Sequence, residues 1–282
     1  MSPRFPGRLV LIGHPVAHSL SPAFQNAALR HAGIPLVYEA LDVRPEALAE
    51  TLALLRTQGA AGNVTIPLKE AVFRACDALS PIARRAGAVN TFWTRDDGAL
   101  VGDNTDVAGF DALADTLGVV REACVVACLG AGGAAAAVCA AVERWPGAIV
   151  RLSARSPERA RQLARRMGGH VQVSASLHDA LHGEGEAGPR DAHLVVNATP
   201  LGMRDDALPV AIAELPRDAR VMDLVYRRDE TRWVREARAA GHRACDGREM
   251  LLVQGAIAFE RWLHRSPDIS VMRQALQAAA TT

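Results

Sequence analysis

A continuous apolar run followed by a glycine turn and an alanine-rich segment constrains the fold of this 282-residue chain most strongly. The run covers Cys124 to Leu129 and the predicted helix covers Ala135 to Val142. The turn between them consists of Gly130, Ala131, Gly132, Gly133 and Ala134. An uninterrupted apolar strand is typical of a parallel sheet that is covered on both faces. Glycines let the backbone approach a pyrophosphate, and the helix amino end offers free N–H groups, so this stretch predicts a dinucleotide-binding αβ domain.

The residues after the next predicted strand indicate which dinucleotide binds. An acid about 20 residues after the glycines would hold the ribose hydroxyls of NAD, but the first acid there is Glu158, already inside a predicted helix. Arg155 and Arg159 are instead suited to a 2′-phosphate, with the hydroxyl of Ser156 as a further donor. An ordinary solvated basic helix start is the alternative. Because basic charge is disfavoured at a helix amino end, a bound phosphate explains the pattern better, and NADP is favoured over NAD.

A second set of polar residues follows apolar runs in the first third of the chain. A predicted strand from Asn63 to Ile66 is stopped by Pro67, which cannot donate to a sheet ladder. The hydroxyl of Thr65 and the amine of Lys69 are expected to face one cleft at the end of that strand. Residues 88–90 and 102–106 add amide, hydroxyl and carboxylate groups. One ammonium, one carboxylate and several hydrogen-bonding groups are what a small polyhydroxylated substrate and a proton transfer require.

The order of predicted elements indicates an α/β protein with two αβα domains. Residues 1–105 alternate strand-like and helix-like segments, and one helix is predicted to begin after Ser21 as its N-cap and to end at Gly33. A second αβ series begins near Val107. We expect residues 1–105 with 247–282 to form a substrate-binding catalytic domain and residues 106–246 to form a Rossmann-like NADP domain. The helices from residue 247 would then return to the first domain.

Charge and composition exclude several classes of protein. A net charge of +1 argues against nucleic acid as the main partner. No signal-peptide core or membrane-spanning run is visible, and five scattered cysteines do not suggest a disulfide framework, so we expect a cytoplasmic protein without a membrane partner. The histidines have no metal-ligand spacing, and no metal is expected. A small-molecule ligand and a monomer or homodimer fit these properties.

Taken together, the motifs resemble the shikimate/quinate dehydrogenase family across essentially the whole chain, and some departures hint at a shikimate dehydrogenase-like paralogue. Any one motif is weak, but the ordered series is specific. The matching segments are residues 13–22, 63–70, 88–91, 102–106, 130–134, 197–200, 223–226 and 250–255.

This resemblance implies a reaction and a role for each matching residue. The family reversibly reduces the keto group of 3-dehydroshikimate with a nicotinamide cofactor. Lys69 would be the general acid/base and Asp106 its partner. The substrate carboxylate and ring hydroxyls would be held by Ser19, Ser21, Thr65, Lys69, Asn90, Asp106, Tyr226 and Gln254. Thr199, Leu224 and Gly247 would join the glycine turn and the basic residues at the cofactor.

Each of these residues also has an ordinary structural interpretation. A single lysine is most often solvated, Asp106 is placed to cap a helix, and Ser19 and Ser21 are placed to cap the helix after them. Gln254 shares an apolar helix face, so its amide needs a partner, which is either substrate or backbone. The sequence departs from the family pattern at Gln25, Ala61, Ala136, Ala154, Arg248 and Glu249.

Three functions remain open on this sequence. The first is dehydrogenation of shikimate or a close analogue, namely quinate or aminoshikimate. The second is another two-domain NADP dehydrogenase, such as a methylene-tetrahydrofolate dehydrogenase, which would need an aromatic residue to stack on the pterin. The third is an NADP-binding regulatory paralogue that has lost catalysis, against which the presence of both Lys69 and Asp106 counts.

Overall fold

The computed structural model describes residues 5–183 and 191–281 of the chain. The chain divides into two compact units, Met1–Gly109 with Leu251–Thr282 and Phe110–Met250. Within the described residues, each unit contains one six-stranded sheet with helices packed against it. The α/β class and the two αβα domains predicted from the sequence are confirmed.

The sheet of the first unit is mixed. Its strands are β1 (Arg8–Gly13), β2 (Tyr38–Asp42), β3 (Ala60–Val64), β4 (Ala78–Leu79), β5 (Thr91–Thr94) and β6 (Leu100–Asp103). The strand order is β2-β1-β3-β5-β6-β4. β1 pairs in parallel with β2 and β3, whereas β5 runs antiparallel to both β3 and β6. Successive residues Leu9 to Ile12 are all buried, so helices cover both faces of this sheet.

The sheet of the second unit is parallel throughout. Its strands are β7 (Val125–Leu129), β8 (Ile149–Ser153), β9 (Val171–Val173), β10 (Leu194–Asn197), β11 (Arg220–Asp223) and β12 (Ala244–Cys245). The order is β12-β11-β10-β7-β8-β9, and every pairing is parallel. This is the doubly wound Rossmann order, in which the strand order reverses between β7 and β10.

Helices connect these strands in chain order. The first unit contains α1 (Ser21–His31), a 3₁₀ turn at Pro45–Ala47, α2 (Leu48–Thr57), α3 (Lys69–Ala75) and α4 (Pro81–Ala86). The remaining ones are α5 (Asp106–Leu117), α6 (Gly133–Val142), α7 (Pro157–Met167), α8 (Leu177–Leu181), a 3₁₀ turn at Ile212–Glu214, α9 (Arg232–Ala239), α10 (Arg248–Leu263) and α11 (Ile269–Thr281). None of the helices in the described ranges has the length and apolar character needed to cross a membrane.

The C-terminal helices complete the first unit. Trp262 on α10 stacks on Tyr38 of β2 with ring centroids 5.9 Å apart. Its indole N–H donates to Thr91 Oγ1 of β5 at 3.0 Å. These contacts join the end of the chain to the sheet that forms near its beginning, as the predicted return of the C-terminal helices requires.

Two local boundaries differ from the sequence prediction. Ser21 is the first residue of α1 rather than its N-cap, because Leu20 takes the cap position and the Ser21 N–H is satisfied by Ser19 Oγ at 3.2 Å. The strand predicted at Asn63–Ile66 occupies Ala60–Val64 instead. It ends early because Leu68 N–H donates to Thr65 O at 2.9 Å and closes a turn there. The predicted stop of α1 is correct, since Gly33 has a left-handed φ of +65°.

Candidate active site

Several strand ends of the first unit meet at one edge of its sheet. Ile12 of β1 pairs with Val64 of β3, so the carboxyl ends of these parallel strands are level. Because β5 is antiparallel, its amino end at Thr91 pairs with Asn63 and with Asp103 at the carboxyl end of β6. The polar segments that follow β1, β3 and β6, and the one that precedes β5, therefore lie along the same edge.

Lys69 and Asp106 form an ion pair at this edge. Lys69 begins α3, Asp106 begins α5, and Lys69 Nζ lies 2.6 Å from Asp106 Oδ2. The two side chains are 16% and 7% exposed, so the pair is largely removed from water. The sequence prediction that brought these residues together is thus matched by the geometry. Within the described residues, the Asp106 carboxylate accepts hydrogen bonds from side chains and not from the helix amides that it would cap.

Asn90 connects this pair to the neighbouring polar residues. Its Nδ2 lies 2.9 Å from both Asp106 Oδ1 and Thr105 Oγ1 and 3.1 Å from Gln254 Oε1. Its Oδ1 accepts from the backbone N–H of Thr105 at 2.7 Å. Asn90 is only 2% exposed, so its amide is held by these partners rather than by water. The arrangement fixes the orientation of the Asp106 carboxylate.

Two further buried residues, Asn104 and Thr105, hold the site and were not assigned a role from the sequence. Asn104 Oδ1 accepts from Asp106 N–H at 3.1 Å, and its Nδ2 donates to Ala88 O at 2.8 Å. Thr105 N–H donates to Asn90 Oδ1 at 2.7 Å, and Thr105 Oγ1 accepts from Asn90 Nδ2 at 2.9 Å. The available signal was their position between an apolar run and a helix start, which short polar residues also occupy in ordinary turns.

The predicted substrate residues at the start of α1 and just after β3 also lie in the first unit. Ser21 is buried, with 4% of its surface exposed, while Ser19 and Thr65 are half-buried. Ser19 Oγ accepts from the Ser21 N–H, but Leu20 occupies the N-cap position and no side chain caps α1, so the capping role predicted for Ser19 is wrong. Within the described residues, the hydroxyls of Ser21 and Thr65 make no hydrogen bond to the protein, which leaves both able to bind a ligand.

Gln254 lies on α10 with both ends of its amide engaged. Its Nε2 donates to Leu251 O at 2.8 Å, and its Oε1 accepts from Asn90 Nδ2 and, at 3.4 Å, from Thr105 Oγ1. The backbone partner considered from the sequence is therefore present. The side chain is also continuous with the network around Asp106, so the two interpretations are compatible.

The glycine turn of the second unit has the space that a dinucleotide needs. Gly130 has φ +117°, and a Cβ there would lie 2.8 Å from Ala198 O, so the turn requires glycine. A Cβ on Gly132 would meet nothing within 4 Å, which leaves open space beside the amino end of α6. The N-cap of α6 is Gly132, and no side chain caps the helix. Free amides facing open space fit a pyrophosphate.

The basic residues after β8 are solvent-accessible. Arg155 and Arg159 are exposed and Ser156 is half-buried. Ser156 is the N-cap of α7, accepting from Arg159 N–H at 3.4 Å, so its hydroxyl oxygen already has a structural role. Arg155 has no hydrogen-bond or ion-pair partner in the described part of the chain, and it remains suited to a phosphate.

The other predicted cofactor residues are joined by close backbone contact. A Cβ on Gly247 would lie 2.4 Å from Leu224 O, and Gly247 N–H donates to Val225 O at 3.1 Å. Thr199 Oγ1 donates to Asn197 Oδ1 at 2.6 Å, which fixes the turn after β10. These residues, with Tyr226, belong to the second unit.

The departures from the family pattern have ordinary structural settings. Arg248 pairs with Asp246 through Nε at 3.0 Å and through a second guanidinium nitrogen at 2.7 Å. Gln25 is buried and bonds to α10. Ala61 and Ala136 are buried, whereas Ala154 and Glu249 are half-buried. Within the described residues, no cluster of three histidine, cysteine, aspartate or glutamate side chains is arranged to hold a metal ion.

Asp223 is a buried carboxyl at the end of β11. Burial raises its pKa to about 6, with the charge of Asp246 acting in the same direction. Hydrogen bonds from Thr231 Oγ1 at 2.8 Å, Val225 N–H at 3.0 Å and Asn197 Nδ2 at 2.8 Å oppose this shift. The carboxyl ties the turn after β10 to the segment that carries Leu224.

Comparison with known proteins identifies two matching family models. The shikimate dehydrogenase substrate binding domain matches residues 11–92. The C-terminal domain of shikimate 5′-dehydrogenase matches residues 247–277. In the sequence, the first match ends before the strands of the second sheet and the other begins after them.

Individual relatives match nearly the whole chain. The shikimate dehydrogenase (NADP(+)) of Symbiobacterium thermophilum is 43% identical over 98% of this chain and 96% of its own length. The solved shikimate 5-dehydrogenase of Thermus thermophilus, in complex with NADP(H) and shikimate, has a TM-score of 0.85 and 40% identity, covering 96% of this chain and 99% of that one. Quinate dehydrogenase from Corynebacterium glutamicum, in complex with NAD, has a TM-score of 0.82 and 29% identity, covering 96% and 98%.

Gly132→Ala separates cofactor binding from folding. A methyl group at Gly132 contacts nothing within 4 Å, so the free energy of unfolding without cofactor should change by less than about 0.5 kcal/mol. The Kd for NADP should rise about tenfold or more, because the methyl group fills the space beside the helix amino end. Urea unfolding and calorimetric titration measure the two quantities. Gly130→Ala is the matched control: it should lower stability even without cofactor. An unchanged NADP affinity in Gly132→Ala would contradict a pyrophosphate at this turn.

Asp223 should give the protein a pH-dependent stability. Because its folded pKa of about 6 lies above the ordinary aspartate value of 3.8, its contribution to the free energy of unfolding is present below pH 4 and is lost as pH rises through 6. Asp223→Asn removes this titration, so the stability of the variant relative to wild type should increase between pH 4 and 6, by about 3 kcal/mol at most. Urea unfolding at several pH values measures it. A difference that stays constant over this range would show that the carboxyl does not titrate there.

Proposed function

The chain belongs to the shikimate dehydrogenase family, and on this basis we propose that it reversibly reduces 3-dehydroshikimate to shikimate with NADP. It is an oxidoreductase of the NADP-dependent shikimate dehydrogenase type. When bound, the nicotinamide group supplies or accepts the hydride. The observation that carries the proposal is the largely buried Lys69–Asp106 pair, with a nitrogen–oxygen distance of 2.6 Å, among amide and hydroxyl groups that suit a polyhydroxylated acid.

The chemistry of Lys69 supports a role as general acid/base. A ketone that receives hydride becomes an alkoxide, which needs a proton and is stabilised by a nearby positive charge. An ammonium group provides both. Among the 32 lysine and arginine residues of the sequence, Lys69 is the only lysine. Arginine stays protonated and cannot give up a proton in this way, so Lys69 is the one member of this set that can act as an acid and a base.

Asp106 supports Lys69 through charge and position. One carboxylate oxygen accepts from Lys69 Nζ and the other accepts from Asn90 Nδ2. An opposite charge at hydrogen-bond distance attracts the ammonium and holds it in one direction. We infer that Asp106 orients the amine toward the reacting oxygen and that Asn90 maintains this orientation.

The remaining polar side chains are suited to the substrate. The free hydroxyls of Ser21 and Thr65 can donate to a carboxylate or ring oxygen, and Ser19 lies beside Ser21. Asn90, immediately before β5, and Gln254, on α10, add amide groups beside these hydroxyls. Tyr226 is assigned to substrate by the family motif and lies in the second unit. In the same unit, the turn at residues 130–134 would hold the pyrophosphate, and Arg155, Ser156 and Arg159 would select the 2′-phosphate.

Turnover assays distinguish the candidate substrates, the two cofactors and the alternative functions. Quinate is a specific alternative substrate, because a quinate dehydrogenase shares this fold at 29% identity; aminoshikimate is a second analogue. The regulatory alternative predicts NADP binding without turnover of any of them, and another two-domain NADP dehydrogenase predicts turnover of an unrelated substrate. A cytoplasmic location and a monomer or homodimer complete the proposal. Absorbance of reduced cofactor, with NADP or NAD and each acid, distinguishes these outcomes.

Lys69→Arg separates charge from proton transfer. Arginine keeps the positive charge beside Asp106 but does not release a proton to the substrate. We therefore expect kcat to fall about 10³-fold, close to the loss in Lys69→Ala. The Kd for NADP should remain within about twofold in both variants, since Lys69 lies in the first unit. Steady-state rates and calorimetric titration measure these effects. Near-normal kcat in Lys69→Arg would refute the acid/base assignment while leaving an electrostatic role.

The single lysine also allows direct chemical labelling of the site. An amine acetylating reagent can modify only Lys69 and the chain amino terminus. If shikimate covers Lys69, a shikimate concentration ten times its Kd should slow acetylation of Lys69 about tenfold, while labelling of the amino terminus stays constant as an internal control. Peptide mass spectrometry follows both rates. Equal labelling of Lys69 with and without shikimate would place the substrate elsewhere.

A further inference from the structure

We propose that Gln25 is a positioning residue for substrate binding, which holds helix α1 in register with helix α10 and so sets Ser21 relative to Gln254. The inference rests on the proposed function, because Ser21 and Gln254 are its predicted substrate residues. Gln25 itself is not expected to touch the substrate. Its effect would be transmitted through one hydrogen bond between two helices.

The bond lies close to both substrate residues. Gln25 is 1% exposed, and its Nε2 donates to Gly255 O of α10 at 2.9 Å. Ser21 is four residues earlier on α1 and therefore on the same helix face, one turn nearer the amino end. Gln254 directly precedes Gly255. The amide thus joins the two helices within one turn of each predicted substrate contact.

Within the described residues, the Gln25 bond adds a directional contact between α1 and α10 to the close packing of the two helices. A Cβ on Gly255 would lie 2.6 Å from Phe24 Cε2 and 3.2 Å from Gln25 Nε2, so the helices are already in close contact. Apolar packing sets how near they approach but is not directional. A hydrogen bond has a preferred direction and length, so it favours one position of α1 along α10 over its neighbours.

The other end of the amide shows that stability alone does not explain Gln25. Its Oε1 is buried and has no hydrogen-bond partner in the described part of the chain. Reversing the amide would direct this oxygen at the Gly255 carbonyl, so two acceptors would face each other. A buried acceptor without a donor is unfavourable, and an apolar side chain of similar length would avoid it. The amide is therefore better explained by its directional bond to α10.

Asn26 is a matched control on the same helix. Its Nδ2 donates to Tyr38 O at 2.9 Å and its Oδ1 accepts from Tyr38 N–H at 2.8 Å. This amide joins α1 to strand β2 instead of α10, and both of its ends are satisfied. Loss of the Asn26 bonds should loosen the fold without changing the register of α1 on α10.

Gln25→Met tests the inference because methionine has a similar length and no amide. We expect the KM for shikimate to rise about five- to tenfold, with kcat and the KM for NADP within about twofold of wild type and no loss of thermal midpoint. Gln25→His should restore the KM to within about twofold, since an imidazole N–H can donate to Gly255 O. Asn26→Ser should lower the thermal midpoint and leave the KM unchanged. Gln25→Leu repeats the test if Gln25→Met does not accumulate.

The outcomes separate this inference from the proposed function. An active wild type together with an unchanged KM in Gln25→Met overturns the inference alone. An equal rise in KM for Asn26→Ser also overturns it, because general loosening of α1 would then be sufficient. A wild type that turns over none of shikimate, quinate and aminoshikimate overturns both. A raised KM in Gln25→Met that Gln25→His reverses, with Asn26→Ser unaffected, supports the inference.

Discussion

The pairing of a partly buried ammonium with a buried carboxylate is the constraint around which this edge of the first unit is organised. An ammonium and a carboxylate taken out of water lose hydration that their attraction repays only with good geometry and further hydrogen bonds. Here the Asp106 carboxylate gains Asn90 as a second donor, and Asn90 is in turn fixed by Thr105 and Gln254. The amide groups that hold the carboxylate are therefore part of the site. The same arrangement that protects the charges also prevents them from turning away from a ligand.

The two units supply different kinds of recognition. The first unit presents side chains, each fixed by another side chain, and this suits a substrate defined by the positions of its hydroxyl groups. The second unit presents backbone, since its glycine turn and the uncapped start of α6 offer amides and space rather than functional groups. A phosphate chain needs little more than that. Side-chain substitutions should therefore alter substrate choice more readily than they alter the capacity to bind a dinucleotide.

Much of this organisation was predictable from the sequence, and the exceptions have physical reasons. The Rossmann order of the second sheet follows from one apolar strand, a glycine turn and alternating elements, and the resemblance to the dehydrogenase family is confirmed. The antiparallel direction of β5 was not predictable, because a strand of four residues has the same periodicity in either direction. Asn104 and Thr105 were missed as supporting residues, because their composition is that of any polar turn. Ser21 was misassigned as a cap, since the structure satisfies its N–H through Ser19 two residues earlier.

The reversed direction of β5 makes the two ends of that strand unequal in their tolerance of length changes. β5 begins at the edge of the sheet where Lys69 and Asp106 lie, and Asn90 immediately precedes it. The position of Asn90 therefore depends on the length of the short segment between α4 and β5. One inserted residue in that segment would shift Asn90 by about 3.3 Å and turn its side chain to the other face of the sheet. The hairpin at residues 95–99 lies at the opposite end of β5, where Arg95 N–H bonds to Ala99 O. We therefore expect insertions, epitope tags and fused domains to be tolerated in the hairpin at residues 95–99. The segment between α4 and β5 is expected to keep a fixed length.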